Sequence, residues 1–381
     1  MSNPAAIEPF QIAIGDSVLH DLHERLARTR LPDEIPDTGW EYGTNRACMA
    51  ELLAHWRDRY DWREHERALN RFSQYQAAIK GLKLHFIHEI GRGANPKPLL
   101  LLHGWPGSPF EFSKIIPLLT EPDGSGKSFT VVAPSFPGFG FSDHPRSRAM
   151  NIQAIAGLFI ELMTRVLGYE RFGAQGGDWG SGIATRIAEV APEALTGLHL
   201  NMISIALARA DESAELSAEE KIFLGDIERF RREEAGYQWI QSTRPQTLAY
   251  GLTDSPAGWL AWIVEKFRAW SDCGGKLERR FTHDELITAA MVPWITGSIG
   301  SSMRLYYEAS RYGWNPGKIG VPAAVAVFPS EPIRPPRSWA EQVYNIRRWT
   351  VMASGGHFAA MEEPHLLASD IRAFFSDLES D

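Results

Sequence analysis

Three residues of this chain could share one reaction: Asp178 in GGDWG (176–180), Glu331 in FPSEP (328–332) and His357 in SGGHFAAMEEP (354–364). A carboxylate that attacks carbon becomes an ester. Hydrolysing that ester takes a base to deprotonate water and a second carboxylate to hold the base in the right tautomer. The chain order, nucleophile then acid then base, supplies such a set. Taken singly each residue has a plainer reading: Asp178 as a helix N-cap, Glu331 as a surface turn residue, His357 as a loop histidine bonded to backbone. A fourth element is HGWPGS (103–108), where the Trp105 N–H is a candidate oxyanion-hole donor with the Trp179 N–H as its partner. Pro106 brings no N–H and fixes the turn. The loop SFPGFGFSD (135–143) reads as a rim of the same site or as structure only.

These groups need strands that end in sharp turns. LLLLHGWPG (99–107), FTVVAPSFPGFG (129–140) and RFGAQGGDWG (171–180) each run from a buried strand into glycine, and GIATRIAEVA (182–191) continues the last as a helix. Strands alternating with helices predict a mostly parallel sheet covered on both faces. The glycines around Asp178 suit a strained elbow in which strand and helix pack closely. VPAAVAVFPSE (321–331) and RRWTVMASGGH (347–357) restore the strand-then-turn pattern after a helical, Trp- and Tyr-rich stretch. The division expected is an N-terminal segment 1–95, a first core part 96–202, a helical insertion 203–312 over the carboxyl ends of the strands, and a second core part 313–381. Within the first segment, Leu19, Leu22, Leu26 and Leu31 predict a helix ending near Pro32, Ala47 to Asp58 a second, and GLKLHFIHEI (81–90) a strand.

At this level of detail the chain resembles the microsomal-type epoxide hydrolases, in particular their soluble bacterial members. PFQIAI, RLARTRLPDE, GWEYG and YDWRE resemble the N-terminal meander of that family, while HGWPGS, GGDWG, GYQWIQSTRP (236–245), DSPAGWLAW (254–262), SSMRLYYE (301–308) and GGHFAAMEEP carry the likeness through core and cap. The resemblance implies an α/β-hydrolase fold with helical cap, an epoxide as substrate and a vicinal diol as product. It also brings in two cap tyrosines, Tyr237 and Tyr306. Ring opening leaves an alkoxide, and a phenol of pKa about 10 can bond the ring oxygen and give it a proton. Both could equally be aromatic core residues. The adjacent Tyr307 competes with Tyr306, about 100° away on a helix. The membrane anchor of the microsomal enzymes is not seen.

The bulk properties exclude other classes. Net charge is -8 with no basic tract, which argues against nucleic acid. Arg229, Arg231 and Arg232, followed by Glu233 and Glu234, read as a solvated helix face. Cys48 and Cys273 offer neither disulfide framework nor zinc spacing, and no metal or cofactor is expected. The longest apolar run, Val321 to Phe328, has eight residues, against about 20 for a membrane span. A cytoplasmic protein is the expectation, and a homodimer is left open. The insertion is rich in tryptophan (Trp239, Trp259, Trp262, Trp270 and Trp294), which suits a bulky apolar epoxide, and Trp239 and Trp294 are the candidate walls. Two rivals stand beside this reading. One is a haloalkane dehalogenase with the same Asp elbow, which would need N–H donors rather than phenols. The other is an inactive binding protein on the same fold.

Overall fold

The computed structural model describes residues 6–124, 126–203 and 215–378. Its strands are β1 (Ile7–Phe10), β2 (Gln74–Ile79), β3 (Leu82–Glu89), β4 (Lys97–Leu102), β5 (Phe129–Pro134), β6 (Phe172–Gly176), β7 (Leu195–Leu200), β8 (Ile319–Val327) and β9 (Tyr344–Val351). Among the described residues they form one sheet in the order β1-β2-β3-β5-β4-β6-β7-β8-β9. From β5 to β9 every neighbouring pair is parallel, while β1, β2, β3 and β5 pair antiparallel. Leu99 to Leu102 and Val131 to Ala133 are wholly buried, as strands covered on both faces must be.

The N-terminal segment holds more strand than its sequence suggests. β1 and β2 extend the sheet beyond β3, and three helices (Asp16–Ala27, Arg46–Asp58, Trp62–Leu69) connect them. The first of these ends at Ala27, short of Pro32. β7 was also not singled out by pattern. Its LTGLHL core is short and glycine-interrupted, but it pairs β6 on one side and β8 on the other.

Between β7 and β8 the described elements are helical, from Ala218–Glu233 to Ile299–Tyr312; residues 204–214 of this stretch lie outside the described ones. Capping boxes start two of the helices, Ser217 with Glu220 and Thr282 with Glu285. Arg229, Arg231 and Arg232 lie on the exposed side of the first, Arg229 bonded to Asp226 and Arg232 to Glu233. The carboxyl ends of β4, β6, β8 and β9 all point toward this helical layer, and the four chemical segments named above begin there.

Candidate active site

The turn after β6 is under backbone strain. Asp178 has φ +47°, in the left-handed region a non-glycine residue seldom enters. The helix that starts here, Asp178–Val190, packs against β4 through Gly180. A Cβ on that glycine would lie 2.0 Å from the Leu102 carbonyl oxygen. Strand and helix therefore approach at a distance only glycine allows, and the Asp178 side chain stands above the sheet. Its N-cap is Gly177, so Asp178 does not cap the helix.

Two neighbours take the two carboxylate oxygens. The Trp105 backbone N–H, at the cis Trp105–Pro106 turn after β4, donates to Asp178 Oδ1 at 2.8 Å. His357 Nε2 lies 3.7 Å from Asp178 Oδ2. The Trp179 N–H belongs to the first turn of the helix, where N–H groups have no partner within the helix. On its far side, His357 Nδ1 is 2.9 and 3.1 Å from the two Glu331 oxygens. Glu331, 5% exposed, is held in turn by its own N–H donating to Phe328 O at 3.2 Å. Glu341 is exposed and bonded to Arg337 at 2.6 Å.

Burial drives the His357 imidazolium down, but the Glu331 carboxylate outweighs it with help from Asp178 and Glu111. The group is held up at about 9. The histidine is thus a cation at neutral pH. Two backbone N–H groups pin the loop that carries it: His357 N–H donates to Trp270 O at 2.8 Å, and Gly355 N–H to Asp272 Oδ2 at 3.0 Å.

Tyr237 and Tyr306 come down from the helical layer onto this centre. Their rings are 5.7 Å apart and nearly perpendicular. Tyr237 stacks on Trp105 at 5.1 Å, and Tyr306 stands edge-on to Trp179 at 4.7 Å. Burial, with the Asp178 charge adding to it, pushes the Tyr237 phenol above its ordinary range; burial, then Tyr237 and Asp178, does the same to Tyr306. Both therefore remain proton donors across the neutral range. Tyr307 is placed differently, with the Arg311 guanidinium 4.4 Å above its ring.

Two residues of this centre, Lys266 and Glu111, were not singled out from sequence, and Trp270 stood there only among the tryptophans of the insertion. Lys266, on helix Pro256–Trp270, has a buried ammonium 5.0 Å from the centre of the Tyr237 ring and 2.5 Å from Glu265 Oε2. Trp270 packs 5.2 Å from Tyr237 and 5.1 Å from His357, joining the helical layer to the base. Glu111 sits in the short helical turn Pro109–Ser113 after HGWPGS. Burial pushes its carboxyl up to about 8, the His357 cation opposing and the Asp178 charge adding. A charge inside the apolar run PFEF, and another inside WIVEKF, were the available signals.

The two tryptophans expected to line the site do not. Trp239 is 60% exposed. It lies two positions after the inward-facing Tyr237 on helix Gly236–Thr243, about 200° further round. Trp294, near the end of helix His283–Ile295, packs half-buried against the core and lines none of the cavities around Asp178. Trp270 takes the position the sequence reading gave to them.

Residues 7–112 match the family model described as Epoxide hydrolase N terminus, and 97–238 that of the alpha/beta hydrolase fold. Epoxide hydrolase 1 of Sus scrofa is 40% identical over 99% of this chain and 91% of its own length. Juvenile hormone epoxide hydrolase 2 of Ctenocephalides felis is 35% identical over 96% and 84%. The crystal structure of juvenile hormone epoxide hydrolase from the silkworm Bombyx mori superposes with a TM-score of 0.92 at 33% identity, covering 99% of this chain and 95% of that one. That of Aspergillus niger epoxide hydrolase gives 0.87 at 29% identity, covering 98% and 97%. The fold is thereby the α/β-hydrolase fold. Among the described residues no single helix is long and apolar enough to cross a membrane.

Proposed function

The chain belongs to the epoxide hydrolase family and hydrolyses epoxides to diols, and from this premise we propose that Asp178, His357, Glu331, Tyr237 and Tyr306 are the residues that do so. The observation that carries the assignment is the arrangement around one carboxylate. Asp178 Oδ1 accepts the Trp105 N–H, Oδ2 faces His357, and the two phenols close over the same centre. The residues 203–312 act as the cap that brings the phenols in. The whole-chain relatives being epoxide hydrolases, and the phenols being present, the dehalogenase and binding-protein readings lose their support.

The reaction then has two halves. Asp178 Oδ2 attacks a ring carbon, the C–O bond breaks, and a phenol passes its proton to the departing oxygen. Negative charge left on Tyr237 lies under the Lys266 ammonium, which favours it. Forming the ester removes the Asp178 charge, one of the anions that keep His357 protonated. The imidazolium then loses its proton, which restores the phenol, and becomes a base. Water gives it a proton and attacks the ester carbonyl. The oxyanion forms on Oδ1, where the Trp105 N–H already points and the Trp179 N–H completes the hole. Phe230, Tyr237 and Trp270 flank Asp178 on this side and give an apolar epoxide aromatic walls.

A single turnover in ¹⁸O-water with enzyme in excess tests the assignment. Unlabelled diol and label in the peptide holding Asp178 are expected, with labelled diol after many turnovers. Labelled diol from the first turnover, with none in the protein, would make Asp178 a general base and overturn the covalent route.

A further inference from the structure

Asp178 and His357 face two separate voids. One is the space shared with Phe230, Tyr237, Trp270 and Ile333. The other lies on the opposite side of the pair, walled by Gly104, Glu111, Gln175 and Asn201, with a volume of about 20 Å³. A water needs roughly 10–15 Å³ on such a measure. The second void thus has room for one or two waters. Gln175 Oε1 is buried on its wall without a protein partner, while its amide nitrogen donates to Asn201 Oδ1 at 2.7 Å. An unpaired carbonyl beside water-sized room is the setting in which buried waters are found.

Behind Glu111 lies a cavity of about 470 Å³. Gly107, Glu111 and Phe358 are walls of both. This cavity lies between the N-terminal helix Trp62–Leu69, the cap helix His283–Ile295 and the core turn Pro109–Ser113. Arg71, Lys114 and Thr282 line it and are exposed, so it opens to bulk solvent. Glu111 keeps accessible surface deep in the protein because it faces this space. Neither Tyr237 nor Tyr306 touches either void.

We propose that this cavity is the water inlet of the second half-reaction, separate from the path of the epoxide, with Glu111 as the polar residue at its inner end. The inference rests on the covalent ester of the preceding subsection. With the alkyl group filling the phenol side, water on that side would have to displace the substrate. From the rear void it meets the ester carbonyl and His357 directly. It gives a proton to His357 Nε2 and bonds to the Asp178 carboxyl carbon. The bond from that carbon to the alkyl oxygen breaks, and the alkoxide takes the proton back from His357. The Asp178 acid then returns its own proton to His357. Carboxylate and imidazolium are restored, and one solvent oxygen stays on Asp178.

Narrowing the inlet without touching the catalytic groups tests this. Ala289→Val, Ala289→Leu and Ala289→Phe add bulk on the cap wall, and Ala68→Leu adds it on the opposite, N-terminal wall, so the test survives one variant that does not fold. Alkylation is followed by tryptophan fluorescence in single turnovers of an aryl epoxide that the wild type accepts. The ester is followed by acid quench and mass spectrometry of the protein. Hydrolysis of the ester should slow as the side chain grows, by about tenfold or more for the largest, with alkylation unchanged and alkyl-enzyme accumulating. Unaltered hydrolysis in folded variants at both walls overturns the inlet. So does an equal slowing of alkylation, which would make the cavity a substrate path. If no alkyl-enzyme forms even in the wild type, it is the covalent reading that fails instead.

Discussion

His357 with Glu331 and His199 with Asp370 are both buried histidine–carboxylate pairs packed around the same sheet, with closest N···O distances of 2.9 and 3.0 Å. Their surroundings differ. Asp370, on helix Pro364–Asp377, also accepts from Arg348 Nε and Thr350 Oγ1, each at 2.7 Å on Oδ1, so both of its oxygens are engaged. His199, on β7, packs beside Phe374 and lines no cavity described above. In the other pair the carboxylate serves the histidine, and the second ring nitrogen faces Asp178 across 3.7 Å with a void on either side. A buried pair by itself is a structural joint. It becomes a base when one edge of the ring is left free toward a nucleophile and toward water.

The sharpest way to break this contrast is to remove each histidine. His357→Gln should leave alkylation intact and stall at the ester, lowering turnover by about 10²–10⁴. His199→Gln should leave turnover per folded molecule near wild type and cost about 1–3 kcal/mol of stability, since it breaks a buried hydrogen bond. Burst kinetics and denaturant titration measure the two. A His199 variant that stalled at the ester would erase the distinction.

The sequence made one member of this contrast plain and hid the other. Asp178, Glu331 and His357 each follow a strand in a glycine- or proline-marked turn, and such turns report backbone geometry directly. His199 sits inside the unremarkable LTGLHL, and its partner arrives 171 residues later. Nothing local marks that pairing. The parallel core was legible because doubly covered strands are apolar throughout, whereas β1 and β2 at the sheet edge carry mixed residues and resemble their helical neighbours. Trp239 and Trp294 misled because residue type does not say which way a helix faces. Glu111 and Lys266 were missed because a lone charge in an apolar run becomes informative only once the fold shows what it faces.

A smaller effect separates the carboxylates. Glu331→Gln should slow turnover less than His357→Gln, because the amide still holds the ring in place while its charge is gone. Asp370→Asn should cost more stability, about 3–5 kcal/mol, by stripping a buried pair of its anion while Arg348 and His199 remain. Parallel measurements of kcat and unfolding free energy on the two variants decide it. Equal losses of turnover would place both carboxylates in the reaction.

The weakest effect is the dependence of stability on pH, and the two pairs should act at opposite ends of the scale. Asp370 is held at about 2, burial opposing and the bonds to His199 and Thr350 prevailing. Its folded value lies below the unfolded one, so it contributes stability above about 4 that is lost as pH falls toward 2. His357 is held at about 9, above its unfolded value, so its contribution is complete below about 6.5 and is lost as pH rises through 9. Glu111, raised from 4.5 to about 8, adds a loss of stability that begins near 4.5 and levels off above about 8, because the folded state keeps a proton the unfolded chain has given up. Thermal unfolding followed from pH 3 to 10 should therefore show Glu331→Gln flattening only the alkaline limb, by an amount on the order of 2 °C, since it removes the main cause holding His357 charged. Asp370→Asn should flatten only the acid limb. If Glu331→Gln left the alkaline limb unchanged, His357 would not be the cation the geometry makes it, and the proton it releases on ester formation would have to come from elsewhere.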